Sequence, residues 1–165
     1  MTSRRSFYKN KTVLVVDDSD QIRSYFKSML LLIGFDDVTL ARDADMALSC
    51  CRRIAFDFIL CDFHLGTGRD GYQLFEILRN EQLLKPQCCF LVVSAERQRQ
   101  AIYGIIEFQP DDYLLKPFSY AELERRITRA YHIKQALKLA YQAIHQHDYA
   151  DAVLACDHVV DHRSQ

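Results

Sequence analysis

Three runs of apolar residues constrain this chain more than any other feature: Thr12–Val16, Phe58–Cys61 and Cys88–Val93. None alternates between apolar and polar positions, so each is expected to be a strand buried on both faces. Each stops at residues with oxygen-bearing side chains: Asp17-Asp18-Ser19, Asp62 and Ser94. Two shorter runs, Val38–Ala41 and Tyr113–Leu115, continue the pattern, and the second ends at Lys116-Pro117. Between the runs the apolar spacing turns helical. Ile22, Tyr25, Phe26, Met29, Leu30 and Ile33 form one stripe, with Gly34 as its stop. Asp43 caps a second helix carrying Ala44, Ala47, Leu48 and Cys51. The loop His64–Gly71 leads to a third, marked by Leu74, Phe75 and Leu78, and Ala101, Ile102, Ile105 and Ile106 mark a fourth. Ser119 caps a long final stretch, whose expected inner face is Leu123, Ile127, Ala130, Leu137, Tyr141 and Ile144.

Five strand–helix alternations point to an α/β fold: a doubly wound, five-stranded parallel sheet with helices on both faces. The crossovers are right-handed in such sheets, and the ligand site lies outside the carboxyl ends of the strands. That rule selects Asp17, Asp18, Asp62, Ser94 and Lys116, contributed by four different strands.

The balance of 21 basic and 22 acidic residues leaves no positive excess for a nucleic-acid partner. No apolar run, Met29–Ile33 included, comes near the ~18–20 residues of a membrane span. Residues 1–10 are polar and basic and are expected to form a flexible tail. The six cysteines include no C-x-x-C spacing. Most sit in apolar stretches, as reduced core thiols of a cytoplasmic protein would.

Three carboxylates on one rim repel one another unless a cation neutralises them, and hard oxygen ligands suit Mg²⁺. A carboxylate is also a nucleophile toward phosphorus. Lys116 would supply a fixed positive charge and Ser94 a hydrogen-bond donor.

The segments VLVVDDSDQIR, ILCDFHLGTGRDGYQL, LVVSA and DDYLLKPF stand in an order and spacing that resembles the response-regulator receiver domain of two-component signalling. The resemblance covers Lys11–Tyr131 and implies a flavodoxin-like sheet of order 2-1-3-4-5. It implies that Asp62 is the phosphoacceptor, that Asp17 and Asp18 serve Mg²⁺, and that His64 offers the metal its backbone carbonyl. Ser94 and Tyr113 take the switch positions, and Lys116 contacts the phosphoryl group. The Lys116–Pro117 bond is expected to be cis. The phosphoryl donor would be a sensor histidine kinase or phosphotransfer protein. The face made by the fourth helix, fifth strand and fifth helix would be the signalling and candidate homodimer surface. The chain departs from many relatives in reading His64-Leu65-Gly66-Thr67-Gly68 after the acceptor, where a longer, more flexible loop is expected. His64 and Glu96 then stand near the path of an attacking water.

Blander roles remain open for these residues. Asp17, Asp18 and Asp62 are also good helix caps, Ser94 could cap the fourth helix, and Tyr113 could be a half-buried strand aromatic. Asp18-x-Asp20 after a strand resembles the nucleophile motif of haloacid-dehalogenase-like phosphatases, but Gln21 follows it and Asp62 is left unexplained.

Residues 132–165 form a helical extension. Leu139-Ala140, Asp148-Tyr149-x-x-Ala152, Cys156 and Val159 resemble part of a tetratricopeptide unit, in which Ala140 and Ala152 let two helices approach closely. Ala136 replaces the usual early aromatic and no proline closes the unit, so a plain helical hairpin is the alternative. Such units bury their faces only by stacking, which implies a longer repeat region cut after Gln165. Six basic and six acidic residues in Ala121–Gln165 argue against a DNA-binding output within this chain and for output through an unknown downstream protein.

Overall fold

Strands β1 (Val13–Val16), β2 (Val38–Ala41), β3 (Phe58–Asp62), β4 (Cys89–Ser94) and β5 (Asp112–Leu115) form one parallel sheet of order β2-β1-β3-β4-β5. This computed structural model describes residues 7–97, 103–104, 107 and 109–163. Alternate residues of each strand enter opposite cores. Leu14, Val16, Ile59, Cys61, Phe90 and Val92 pack beneath α2 (Ala44–Cys51) and α3 (Gly71–Asn80). Val13, Val15, Leu60, Leu91, Val93 and Leu114 pack on the other side, beneath α1 (Asp20–Ile33) and α4 (Tyr120–His145). Burial on both faces is what the unbroken apolar runs require. The helix expected around Ala101, Ile102, Ile105 and Ile106 lies outside the described residues.

The helix boundaries follow from their caps. Ser19, Asp43, Asp70 and Ser119 each accept a hydrogen bond from a backbone N–H two or three residues into the helix that follows. Gly34 ends α1 at a φ of 127°, a conformation open mainly to glycine.

Two expectations are corrected. The flexible tail does not extend through residue 10, because Tyr8 is 4% exposed. Its ring packs on Phe35 and Phe58, and its hydroxyl is 2.9 Å from Thr128 Oγ1 on α4. The inner stripe of α4 also differs beyond Ala130. Tyr141 and Ile144 are 67% and 47% exposed, and the buried positions are Ile133, Ala136, Ala140 and Ala143. There α4 has left the sheet and pairs with α5 (Tyr149–Arg163), whose Ala152, Ala155 and Val159 are buried in return. Close helix approach favours alanine over larger side chains. Ala140 and Ala152 do lie on the buried faces, and α4 runs unbroken across residues 131–132.

At the amino ends of the strands, Asp57 clasps β1 to β3. One carboxylate oxygen accepts from the Thr12 N–H (2.9 Å) and the Thr12 hydroxyl (3.1 Å), and the other pairs with Lys85 Nζ at 3.0 Å. Burial alone would raise the Asp57 pKa, but these partners outweigh it and hold the carboxyl below its ordinary value. A depressed pKa means that the clasp contributes stability above the unfolded-state value and loses it as pH falls through the folded value. Asp57→Ala should therefore lower the unfolding free energy at pH 7 by about 1 kcal/mol or more, the cost of stranding its half-buried partners. In urea titrations the gap between wild type and variant should narrow as the pH drops below the ordinary carboxylate range.

Candidate functional site

Strand register alone assembles the rim. Val16 lies opposite Cys61, so the next residues, Asp17 and Asp62, emerge side by side from neighbouring strands. Asp62 lies opposite Val93, which puts Ser94 one step beyond it on β4. Ser94 lies opposite Leu115, which puts Lys116 one step further on β5. Strands about 4.8 Å apart thus bring together side chains separated by as many as 99 residues.

Asp17, Asp18 and Asp62 each offer a carboxylate oxygen within 4.8 Å of the others, the one such group of potential metal ligands among the described residues. Asp17 is 1% exposed and Asp18 is exposed. The Lys116 ammonium donates to Asp17 Oδ2 and Asp62 Oδ2, at 2.6 Å each. Asp17 Oδ1 accepts from the Ser19 N–H at 2.9 Å, and Asp62 Oδ1 accepts from the His64 N–H at 3.1 Å. These contacts settle the capping alternatives for the carboxylates. Ser19 caps α1 and Asp70 caps α3, so Asp17, Asp18 and Asp62 are not spent on helix ends. Asp20 pairs with Arg23 on the exposed side of α1, outside the carboxylate group.

One ammonium cannot balance three carboxylates. At this spacing each like-charge pair costs on the order of 3–4 kcal/mol for an effective dielectric near 20. Burial raises the Asp62 pKa above its ordinary value, against the lowering by Lys116 and the His64 N–H. Burial also works against the Lys116 ammonium, but its two carboxylate partners more than compensate and raise its pKa. Lys116 therefore stays charged at neutral pH, and the remaining excess of negative charge, with oxygen-only donors, fits a hard divalent cation.

Ser94 is fully buried, and its Oγ accepts from the Glu96 N–H at 3.1 Å. The Tyr113 hydroxyl donates to the Glu96 carbonyl at 2.9 Å. Burial raises the phenol pKa, and a hydrogen bond with Ser94 lowers it in part. Tyr113 is therefore a link between β5 and the end of β4, beyond its packing as a strand aromatic. Lys116–Pro117 is cis.

Two glycines in the loop after β3 have steric roles that their spacing does not show. A Cβ on Gly71 would stand 2.5 Å from the Asp62 carbonyl oxygen, so only glycine lets α3 start against the end of β3. Gly66 has a φ of 72°, and a Cβ there would sit 3.2 Å from Asp18 Oδ2. Between them the loop is pinned by Leu65, which is buried in the α2–α3 core. Spacing shows glycines in a loop; which one meets the backbone depends on tertiary approach. Cys61 adjoins the site, its Sγ donating to the Asp62 carbonyl at 3.2 Å. Cys50, Cys51, Cys61, Cys88 and Cys89 are buried and free, and Cys156 is exposed. Burial pushes the Cys51 and Cys89 thiols up to about 12, so both remain unreactive thiols at neutral pH.

Comparison with known proteins agrees with this geometry. Residues 13–128 match the profile of the response regulator receiver domain. The chain is 29% identical over 123 residues to the chemotaxis protein CheY-3 of Vibrio cholerae, covering 74% of this chain and 93% of that one. It superposes on the receiver domain of the Francisella response regulator 1452 with a TM-score of 0.65 and 31% identity, over 74% of this chain and 97% of that one. The receiver domain of the sensor histidine kinase PA1611 of Pseudomonas aeruginosa, solved with a magnesium ion coordinated in its active-site cleft, gives a TM-score of 0.64 and 29% identity, over 73% and 97% of the two chains.

Gly71→Ala should destabilise the fold by about 1–3 kcal/mol, the usual cost of overpacking, since the opposing atoms are backbone. Gly68→Ala, with open space around it but a φ of 112°, tests strain alone. Chemical denaturation of both separates steric clash from backbone strain, and Gly71→Ala alone should also perturb amide resonances of Asp62 and Phe63.

Proposed function

The chain belongs to the response regulator receiver family, and on that premise we propose that it is a phosphoacceptor of a two-component phosphorelay, with Asp62 as the acceptor. The observation that carries the reading is the paired hold on Asp62: its two carboxylate oxygens are fixed by the Lys116 ammonium and the His64 N–H beside two further carboxylates. The donor is a phosphohistidine of a sensor histidine kinase or phosphotransfer protein. An Asp62 oxygen forms the bond to phosphorus while the bond from phosphorus to the imidazole nitrogen breaks. The electron pair leaves with the imidazole, which takes a proton from solvent.

Asp17, Asp18, Asp62 and the His64 backbone carbonyl would hold Mg²⁺. Bound there, the ion neutralises charge on the phosphoryl oxygens. Lys116 already donates to an Asp62 carboxylate oxygen, and its charge would oppose the same build-up. Ser94 would turn its hydroxyl proton toward the phosphoryl oxygens, and Tyr113 would leave the Glu96 carbonyl and turn inward with it. Phosphorylation then biases a two-state equilibrium of this rim. The chain assists only its own phosphorylation and dephosphorylation.

Output passes to a downstream protein through the extension after residue 131, a tetratricopeptide-like hairpin that begins as the far half of α4. The surface containing β5 and the first half of α4 is the candidate homodimer face. No helix among the described residues is long and apolar enough to cross a membrane, which fits the cytoplasmic setting of a phosphorelay.

Incubation with Mg²⁺ and a small-molecule phosphodonor should add one phosphoryl group by intact mass, and none to Asp62→Asn. Chelating the metal should slow labelling by about 100-fold or more, as expected when the main charge-neutralising group is lost. Unlabelled wild type, or labelling that persists in Asp62→Asn, overturns the assignment. Sustained release of phosphate from varied monoesters overturns it in favour of a hydrolase.

A further inference from the structure

We infer that the opposite pole of the sheet carries a second site, an anion-binding pocket that takes a small phosphate-type oxyanion. The reading does not depend on phosphotransfer at Asp62. A cavity of about 290 Å³ opens at the amino ends of the strands, beside Asp57. Asp57 precedes β3 and Asp62 ends it, so the two sites lie about 17 Å apart along one strand.

Three elements each bring a lysine to this cavity: Lys11 from the segment entering β1, Lys85 from the α3–β4 connection, and Lys138 from α4. Gln87, Gln135 and Tyr131 complete the polar wall. Tyr131, Gln135 and Lys138 recur at helical spacing, so one stripe of α4 faces the opening. Three ammonium groups against the single carboxylate of Asp57 leave a formal charge of +2.

The Asp57 carboxylate is already spent. It is bonded to the Thr12 N–H, the Thr12 hydroxyl and Lys85. Lys134, on the same helix, is committed to Asp111 at 2.7 Å. Among the described residues, no carboxylate forms an ion pair with Lys11 or Lys138. Lys11 instead lies over two rings, 5.7 Å from the centroid of Tyr131 and 5.9 Å from that of Phe7. Those contacts hold its ammonium in place without cancelling its charge.

The unspent charge and the volume define the ligand. Two uncompensated cations match a dianion better than a monoanion, and two glutamine amides add neutral donors to further oxygens. The cavity lies just under the ~300–1,000 Å³ typical of pockets for drug-sized ligands, so it suits a compact tetrahedral anion with a few waters. Its walls join the α/β unit to α4 where that helix leaves the sheet. Occupancy would therefore brace the extension against the sheet.

The test is a magnesium-free titration of the full chain with inorganic phosphate, against sodium chloride at matched ionic strength, followed by backbone amide resonances and thermal unfolding. The wild type should show saturable shifts centred on Lys11, Lys85, Gln87 and residues 131–138, and a rising unfolding temperature. The double variant Lys11→Gln/Lys138→Gln should bind about tenfold more weakly or worse, equivalent to about 1.4 kcal/mol, and Lys27→Gln should bind as wild type does. If the double variant unfolds, Lys138→Gln alone, at an exposed position, should still weaken binding several-fold. Shifts confined to the Asp62 pole, shifts that chloride reproduces, or undiminished affinity in the lysine variants overturn the proposal.

Discussion

The Lys116 ammonium, placed 2.6 Å from both Asp17 and Asp62, is the interaction on which the carboxyl rim of this sheet depends. Without it, two neighbouring strands would end in adjacent, largely buried like charges. Removing one partner of a buried pair leaves an uncompensated charge, a far larger cost than an exposed ion pair is worth. The bridge also joins the beginning of the α/β unit to its last strand across 99 residues. It therefore organises the site and closes the sheet at the same time. It still leaves a surplus of negative charge, which suits this rim to a hard divalent cation.

The strands and the rim were legible in the sequence for a single physical reason. Strands buried on both faces cannot carry polar residues, so the first polar residue after each apolar run marks a strand end. Parallel pairing then brings those ends to one side. The order of strands came from the resemblance to the receiver family, and the caps Asp43 and Ser119 and the stop at Gly34 from the helix boundaries. Tyr8 was not legible, because no periodicity surrounds it and its burial depends on Phe35, Phe58 and Thr128, all distant in sequence. The second half of α4 was misread because large apolar residues outrank alanine in a hydrophobic pattern. The packing partner reverses that rank: against another helix, alanines set the distance and Tyr141 and Ile144 face solvent. Gly71 was visible as a loop glycine, but its need for a missing side chain arises only where Asp62 meets it.

The two ends of the sheet handle charge in opposite ways. At the carboxyl ends, acids outnumber the one lysine in reach. At the amino ends, Asp57 and Asp111 are each satisfied by backbone N–H groups and a lysine, and further lysines remain. A parallel sheet aligns all its strand ends, so each pole gathers the ends of five strands and their connections. Opposite electrostatic characters can therefore be built into one small fold without crowding.

The helix α4 begins just beyond Lys116, at the Ser119 cap, and runs unbroken for 26 residues. At 1.5 Å per residue it is about 39 Å long. Its near half is fixed by Leu123, Ile127 and Ala130 in the sheet core, and its far half projects with α5. Mechanically it is a lever with its fulcrum against the sheet. A tilt of about 5° about Ala130 would sweep the far end, roughly 22 Å away, by about 2 Å. The alanine seam that binds α5 to this arm carries the displacement over a second helix. Stiffness along one helix thus gives a fold whose chemistry is confined to a few ångströms a reach of several nanometres.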